Sequence, residues 1–409
     1  MGWVSTQAST QPSKRELRGI LVAICTTQIV TWGVLYYAFP VMLDAITADT
    51  GWSATSTSAA FSTGLIVSAL IGVPVGWLLE SSGPRRVMTA GSALAVPCVV
   101  LIALAPNIAL FTLGWLLAGV AMAATLYTAA FTAITGWFGA QRVRGITMVT
   151  LVGGLSSTVF APITSFLMDH LTWRETFLVL ASLLAVVTIP THWLGLRLPW
   201  RRVTRHSSTT NVRSVVRSVR FGGFAVGMAL MIFCAFAATM LIVALSIERG
   251  YSRTFGAVLL GLVGVGLVIG RGSYVRLAGR LPVRTRIPAV YIPTITSILL
   301  LATISGPAAL LAVAAALLGL TRGAGTLLQA SFVADVWGTE RYGALNGIFS
   351  APMTIAMALA PFGGTAIAEA VGGYGAMMLV LAAIGAATLL ALMLLARGLK
   401  TSAATSSTS

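Results

Sequence analysis

Two arginines lie inside long apolar segments, where an ionisable side chain marks a functional site by default. Arg322 stands near the middle of LLGLTRGAGTLLQ, and Arg271 lies late in an earlier glycine-rich segment. An arginine at the centre of a membrane helix costs about 2.5–3.5 kcal/mol on insertion scales. The planar guanidinium stays charged and binds a carboxylate through two parallel hydrogen bonds, so both residues are candidates for holding an anionic group.

No carboxylate offers itself as a partner at the depth of Arg322, because every Asp and Glu lies at or beyond the end of an apolar segment. Two structural interpretations stay open. Arg271 is near enough to a segment end to snorkel or to pair with Asp335. Arg322 could act as a brace that hydrogen bonds to helix carbonyls, Gln329 or tyrosines. If both arginines face one cavity, a charge of +2 would favour a dianion or two monoanions.

Polar and aromatic side chains at similar depth are candidates for the rest of such a site. Gln329 follows Arg322 by seven residues and therefore shares its helix face. A tyrosine supplies a hydroxyl donor on an apolar ring, although packing or a place in the interfacial belt explains a tyrosine equally well. The candidates in the first half of the chain are Gln28, Thr31, Tyr36 and Tyr127.

The elements that must position these residues are membrane helices. Apolar residues make up 57% of the chain and charged residues 9%, against about 25% charged in soluble domains. This excludes a soluble enzyme, and the net charge of +16 reflects loop cations that set topology, not nucleic-acid binding. We predict an all-α membrane protein with twelve spans near 19–44, 54–79, 87–105, 109–137, 146–168, 176–196, 222–247, 256–276, 287–305, 308–334, 345–368 and 375–396.

Loop charges orient these spans. The arginine-rich, acid-free stretch Arg197–Arg220 and most other cations fall on one side, with the acids largely on the other. The positive-inside rule then places both termini in the cytoplasm and the chain in the inner (plasma) membrane. The predicted parts are a tail (1–18), a six-helix bundle (19–196), a basic central loop (197–220), a second six-helix bundle (221–397) and a tail (398–409).

The two bundles are related by a weak internal repeat. Residues 119–162 align with 318–361 without a gap, which matches Arg142 with Arg341 and Pro162 with Pro361. Parallel repeats of six helices are typical of the major facilitator architecture, where solutes bind between the halves. The two prolines are predicted to bend the fifth and eleventh helices as hinges.

The loop after the second span carries the clearest motif. It runs from Gly76 through Glu80 and Gly83 to Arg85 and Arg86. This spacing resembles the major facilitator superfamily, although the family usually has Asp where Glu80 stands. The resemblance covers about 17–400 and implies a transporter of two pseudo-symmetric bundles. Gly76 would allow close helix approach, and Glu80 would pair with a cation or a facing helix N-terminus to latch the outward-open state.

Within that superfamily, three stretches resemble the monocarboxylate-transporter and oxalate/formate-antiporter branch. They are Trp137–Gly145, Trp173–Phe177 and Gly270-Arg271. Trp115 occupies the position where drug–proton antiporters carry an arginine, which argues against multidrug antiport. Leu267 occupies the place of an acid that proton-coupled monocarboxylate carriers have, and the first span lacks their lysine, so coupling to protons of that kind is in doubt.

The combined prediction is a secondary active or facilitative transporter of mono- or dicarboxylates that works by alternating access. The alternative is a proton-coupled multidrug or metabolite efflux transporter of the same fold. The expected partners are a small anionic solute, the bilayer, and either a coupled proton or an exchanged anion. We expect a monomer without cofactor or metal and no enzyme activity, because neither a phosphate-binding loop nor a nucleophile–base constellation occurs.

Overall fold

The computed structural model describes residues 13–200, 213–338 and 342–397. The predicted tail ends, the middle of the central loop (201–212) and Arg341 lie outside the described residues. Twelve helical spans are present, as the apolar segments predicted. They are Lys14–Thr50, Ala54–Ser82, Pro84–Leu104, Ile108–Phe138, Arg144–Met168, Trp173–Gly195, Val219–Met240, Arg253–Arg280, Val283–Thr303, Ala308–Trp337, Leu345–Val371 and Tyr374–Ala396.

Several spans are interrupted. The first consists of Lys14–Trp32 and Ala38–Thr50, joined by the π-helical turn Gly33–Tyr37. The fourth breaks at Leu126, the fifth at Leu155, and the seventh continues past Leu241 as Ile242–Glu248. A π-helical turn also interrupts the sixth span at Leu184–Thr188. By contrast, the helices that carry the two arginines, Arg253–Arg280 and Ala308–Trp337, are continuous.

Because successive spans alternate in direction, the loops define two faces. We call the end that carries Lys14, Arg144 and Arg284 the basic face, and the end that carries Asp49 and Glu369 the acidic face. The two halves meet along two seams, the second span against the eleventh and the fifth against the eighth.

Hydrogen bonds join the halves mainly toward the acidic face. The backbone N–H of Thr55 donates to Glu369 at 2.9 Å, and Ser165 donates to Thr254 at 3.3 Å. Deeper in the bundle, the Phe362 N–H donates to the Ser62 hydroxyl at 3.2 Å. These contacts hold the halves together at the acidic face.

Toward the basic face the second and eleventh spans stand apart, and the buried side chains of the two halves form separate clusters. A methyl group added at Gly76, or at Gly347 in the eleventh span, would meet no atom within 4 Å. The expectation that Gly76 permits a close helix approach is therefore not met in this conformation, because the basic ends of the halves stand apart.

Glycines join the eighth and tenth spans backbone to backbone. A Cβ atom on Gly266 or Gly270 would collide with the main chain near Leu320. On the facing helix, one on Gly319 or Gly323 would collide with the main chain of Val263 or Leu267. Only glycine permits so close an approach. We call these four residues the glycine seam; Arg271 directly follows Gly270 and Arg322 directly precedes Gly323.

Candidate functional site

Arg322 is buried and only partly satisfied. Its side chain lies in the middle of the tenth span and is 7% exposed. The guanidinium carbon lies 3.9 Å from the centre of the Phe236 ring, a cation–π contact with the seventh span. Nε and Nη1 have no hydrogen-bond acceptor among the described residues. A buried donor without a partner costs about 1–3 kcal/mol, and more when it is charged.

Tyr36 brings a second unsatisfied group from the other half. It lies in the π-helical turn of the first span and is 0% exposed, and its hydroxyl has no partner among the described residues. Its ring is fixed by edge contacts with Trp32 and Tyr37 and by Phe61. An electrostatic interaction links its hydroxyl to Arg322. Each half therefore contributes a buried donor without a hydrogen-bond partner among the described residues.

A cavity adjoins Arg322 on its basic-face side. Its empty volume, including its open mouth, is about 630 Å³. No Asp or Glu is among its described lining residues. The lining combines methionines with a few hydroxyl groups, and Gln329 and Thr326 stand on the tenth span one to two turns beyond Arg322. The described lining of the cavity therefore combines one cation, several hydroxyl groups and apolar walls.

Gln329 lines this cavity with Arg322, as the seven-residue spacing predicted. Its amide nitrogen lies 3.4 Å from the Ser350 hydroxyl, a weak contact. The brace that the sequence left open, Arg322 bonded to Gln329, is not observed: the amide turns toward the eleventh span instead.

Arg271 lies at the seam between the fifth and eighth spans, outside the cavity lining. Its Nη1 donates to the backbone carbonyl of Thr150 in the other half. The Tyr127 hydroxyl interacts electrostatically with Arg271, and the two groups lie against the neighbouring glycines Gly153 and Gly154. Arg271 and Tyr127 thus form a second polar pair between the halves.

Asp335 pairs with Arg286 at 2.8 Å, so the alternative in which it neutralises Arg271 is not observed.

Gln28 and Thr31 are engaged within their own half. The Gln28 Nε2 donates to the Thr125 carbonyl at 2.6 Å, and its Oε1 accepts from Trp32 at 3.2 Å. That carbonyl needs a donor because the fourth helix breaks at Leu126. The Thr31 hydroxyl donates to the Thr27 carbonyl at 2.6 Å. Both side chains are buried, and each already bonds within its own half.

The motif around Glu80 is held by its backbone. The Trp200 indole donates to the Glu80 carbonyl at 2.9 Å and packs on Gly83, which has φ +80°. Arg85 donates to the Trp193 carbonyl at 2.8 Å, and Arg86 is exposed. The two ion pairs recorded among the described residues, Arg174–Asp49 and Arg286–Asp335, do not include Glu80. The predicted latch is thus not engaged here, in agreement with the open basic face.

The proposed hinges lie in helical backbone. Pro162 is inside Ser156–Met168 and Pro361 inside Tyr342–Val371. In the fifth span the discontinuity is at Leu155, about two turns before Pro162. The eleventh helix runs through Pro361 without a break.

Three contributors to the site were missed by the sequence analysis. Phe236 supplies the ring under Arg322, Trp32 orients both Tyr36 and Tyr127, and Tyr291 lines the cavity from the ninth span. The spacing of Trp32 and Tyr36, one helical turn apart, is a signal that could have found Trp32. Nothing in the pattern distinguishes Phe236 from other apolar residues of its span.

Comparisons with known proteins agree with this architecture. A family model described as the Major Facilitator Superfamily matches residues 24–313. Among solved structures, an inward-facing, unoccupied bacterial homologue of the human lysosomal transporter Spinster shares 13% identity and a TM-score of 0.75, covering 94% of this chain and 98% of its own. A mutant of the nucleoside transporter NupG shares 12% identity and a TM-score of 0.78, covering 93% and 99%. No protein of curated function matches the chain.

Proposed function

This chain belongs to the Major Facilitator Superfamily, whose members carry solutes across membranes by alternating access, and we propose that its own solutes are small organic anions, mono- or dicarboxylates. The observation that carries the proposal is the buried Arg322 guanidinium with unpartnered Nε and Nη1, which acts electrostatically on the equally unpartnered Tyr36 hydroxyl. A carboxylate placed between them would accept hydrogen bonds from both halves at once.

The chemistry of the cavity favours a carboxylate over a cation. Arginine matches the planar carboxylate, and the ring of Phe236 covers one face of the guanidinium while its edge stays available. The described lining holds no acid that would attract a cationic drug. The apolar walls supplied by Met231, Met353 and Met357 accept an organic body that inorganic anions lack.

The proposed cycle follows from the two sets of contacts between the halves. The present conformation is closed at the acidic face by Glu369 and Ser165 and open at the basic face. Under the positive-inside rule we assign the basic face to the cytoplasm of the plasma membrane. The opposite state would close the basic face and engage Glu80. Because the described lining of the Arg322 cavity contains no acid, we favour anion exchange or uniport over proton symport.

Efflux of drugs or metabolites is the second candidate. The methionine-rich lining supports it, since methionine adapts to irregular apolar ligands. It would fit neutral or anionic compounds, because the cavity offers a cation and no carboxylate.

A thermal-shift screen of the purified protein tests the proposal. Mono- and dicarboxylates, nucleosides and cationic drugs would be compared, since a ligand at a hundredfold excess over its Kd stabilises the folded state by about 2.7 kcal/mol. We expect stabilisation by a carboxylate that is lost in Arg322→Ala and weakened at least about tenfold in Tyr36→Phe, which removes only the hydroxyl.

Arg15→Ala, which removes an exposed cation outside the cavity, is the matched control and should respond like the unaltered protein. Stabilisation by cationic drugs or nucleosides that is unchanged in Arg322→Ala would overturn the anion site. If Arg322→Ala does not fold, the same thermal-shift comparison with Arg322→Lys and Tyr36→Phe tests the anion site.

A further inference from the structure

A second cleft opens at the basic face of the first half. It lies between the start of the first span and the junction of the fourth and fifth spans, with an empty volume of about 980 Å³. Lys14, Arg18 and Arg144 stand at its sides, and Leu17, Leu21 and Phe138 form its apolar floor. We call it the cationic cleft.

The charge of this cleft is not neutralised within the described protein. Its lining contains no Asp or Glu, and neither recorded ion pair involves its three cations. The nearest acid along the first helix, Glu16, accepts hydrogen bonds from the Ser13 N–H and hydroxyl in a capping box. All three cations are exposed to solvent. The cleft therefore presents three adjacent positive charges at the open face.

The cationic cleft lies on the same inner surface as the aromatic residues of the candidate site. On the first span, Lys14, Arg18, Leu21, Cys25 and Trp32 recur every three, four or seven residues and so share one helix face. That face ends one turn later at Tyr36.

On the fourth span, Phe138 shares a face with Phe131 and Tyr127, whose rings stack with centroids 5.2 Å apart. Trp32 joins the two helices, because its ring centroid lies 4.8 Å from that of Tyr127. Aromatic side chains of the first and fourth spans thus continue from the cationic cleft toward Tyr36.

We propose that the cationic cleft is a docking site for the transported anion, occupied before the anion moves along the aromatic wall to Arg322. The inference rests on the proposed function and adds to it a second site and a direction of approach. Exposed ion pairs bind weakly. Their effect is kinetic: like charges that line a cleft raise the local anion concentration and the association rate by about 10- to 1,000-fold, and salt weakens them.

Transport in proteoliposomes of known orientation tests the docking site. In Lys14→Gln/Arg18→Gln/Arg144→Gln we expect the KM for entry from the basic face to rise at least about threefold at low salt. The difference should disappear at high salt, while kcat for entry from the basic face stays unchanged. Thermal stabilisation by saturating carboxylate should also persist, because Arg322 is intact.

The matched control is Arg15→Gln/Arg280→Gln/Arg284→Gln, which removes the same charge from exposed positions of the same face outside the cleft. An equal rise of the KM in both triple variants would show that the effect comes from diffuse surface charge, and it would overturn the docking site. If the change in KM appears only in vesicles with anionic phospholipid, and follows the lipid content instead of the substrate, the cleft binds a lipid headgroup. That outcome would also overturn the docking site. If no organic anion stabilises the unaltered protein, the proposed function fails; if one does and the cleft variant transports normally, only the docking site fails.

Discussion

The Glu369 carboxylate accepts a hydrogen bond from the backbone N–H of Thr55, across the boundary between the two halves. Thr55 lies in the first turn of the helix Ala54–Ser82, so the carboxylate also meets the positive end of that helix. This is the type of contact that the sequence predicted for Glu80, made at the opposite face by a different acid. It holds the acidic face closed while the basic face is open.

Replacing Glu369 should release this contact. A hydrogen bond to a charged group contributes about 1.5–3 kcal/mol, so Glu369→Gln is expected to shift the population toward the state open at the acidic face by about tenfold or more. Distances between spin labels at the acidic ends of the second and eleventh spans would report the shift. Asp169→Asn removes an exposed acid from the same face and should leave the distances unchanged; equal shifts in both variants would reduce the effect to general surface charge.

Arg271→Met tests the role of the second arginine. Because Arg271 bonds to the Thr150 carbonyl and does not line the cavity, the change should alter the rate of exchange between the two open states. Carboxylate affinity should stay within about threefold, since less than about 1.4 kcal/mol of binding energy is involved. Binding measured by calorimetry beside exchange kinetics separates the outcomes. A loss of affinity as large as in Arg322→Ala would instead make Arg271 a substrate ligand, the role that the sequence indicated.

Gln28→Met should destabilise the protein without weakening substrate binding. The change leaves the buried Thr125 carbonyl without its donor, at a cost of about 1–3 kcal/mol. Thermal unfolding in detergent gives the stability, and the carboxylate-induced shift gives the affinity. Thr26→Val alters an exposed polar residue of the same helix and should have little effect on either. A Gln28 variant of normal stability and reduced affinity would place Gln28 in the binding site.

Two nearby glycines of the eighth span should respond oppositely to alanine. At Gly270 the added methyl would overlap the backbone of Leu320, so Gly270→Ala is expected to lower stability by about 1–3 kcal/mol or more. At Gly272 the methyl meets nothing within 4 Å, and alanine gains up to about 1 kcal/mol of helix propensity. Comparing the Tm values of the two variants is sufficient. Equal Tm values would show that the glycine seam accommodates an added methyl group at Gly270.

The sequence predicted the spans well because the bilayer imposes a simple requirement. A segment that crosses lipid must be long, apolar and helical, and length and hydropathy are visible in the sequence. Arg322 was found for the same reason, since a charge at that depth contrasts with everything around it. The Thr55–Glu369 contact could not be found in this way. Glu369 stands at a span end, where acids are ordinary, and its partner is a backbone group that nearly every residue possesses.

Gln28 shows a related limit. Its amide bonds to a carbonyl that is free only because the fourth helix breaks at Leu126. No proline or glycine marks that break in the sequence, so a polar residue at substrate depth could not be told from a structural one. Whether each face is open or closed depends on contacts between the halves. The sequence pattern of a single helix gives no information about such contacts.

The glycine seam has a consequence for how the two arginines move. Helices in backbone contact at four glycines have no flexible side chains between them to absorb a shift, and a close-packed interior transmits strain. The positions of Arg271 and Arg322 on their two helices therefore stay at a constant distance from each other while the halves rock. The eighth and tenth spans therefore move together, so that a change in the contact between Arg271 and the other half displaces Arg322 and the cavity beside it by the same amount.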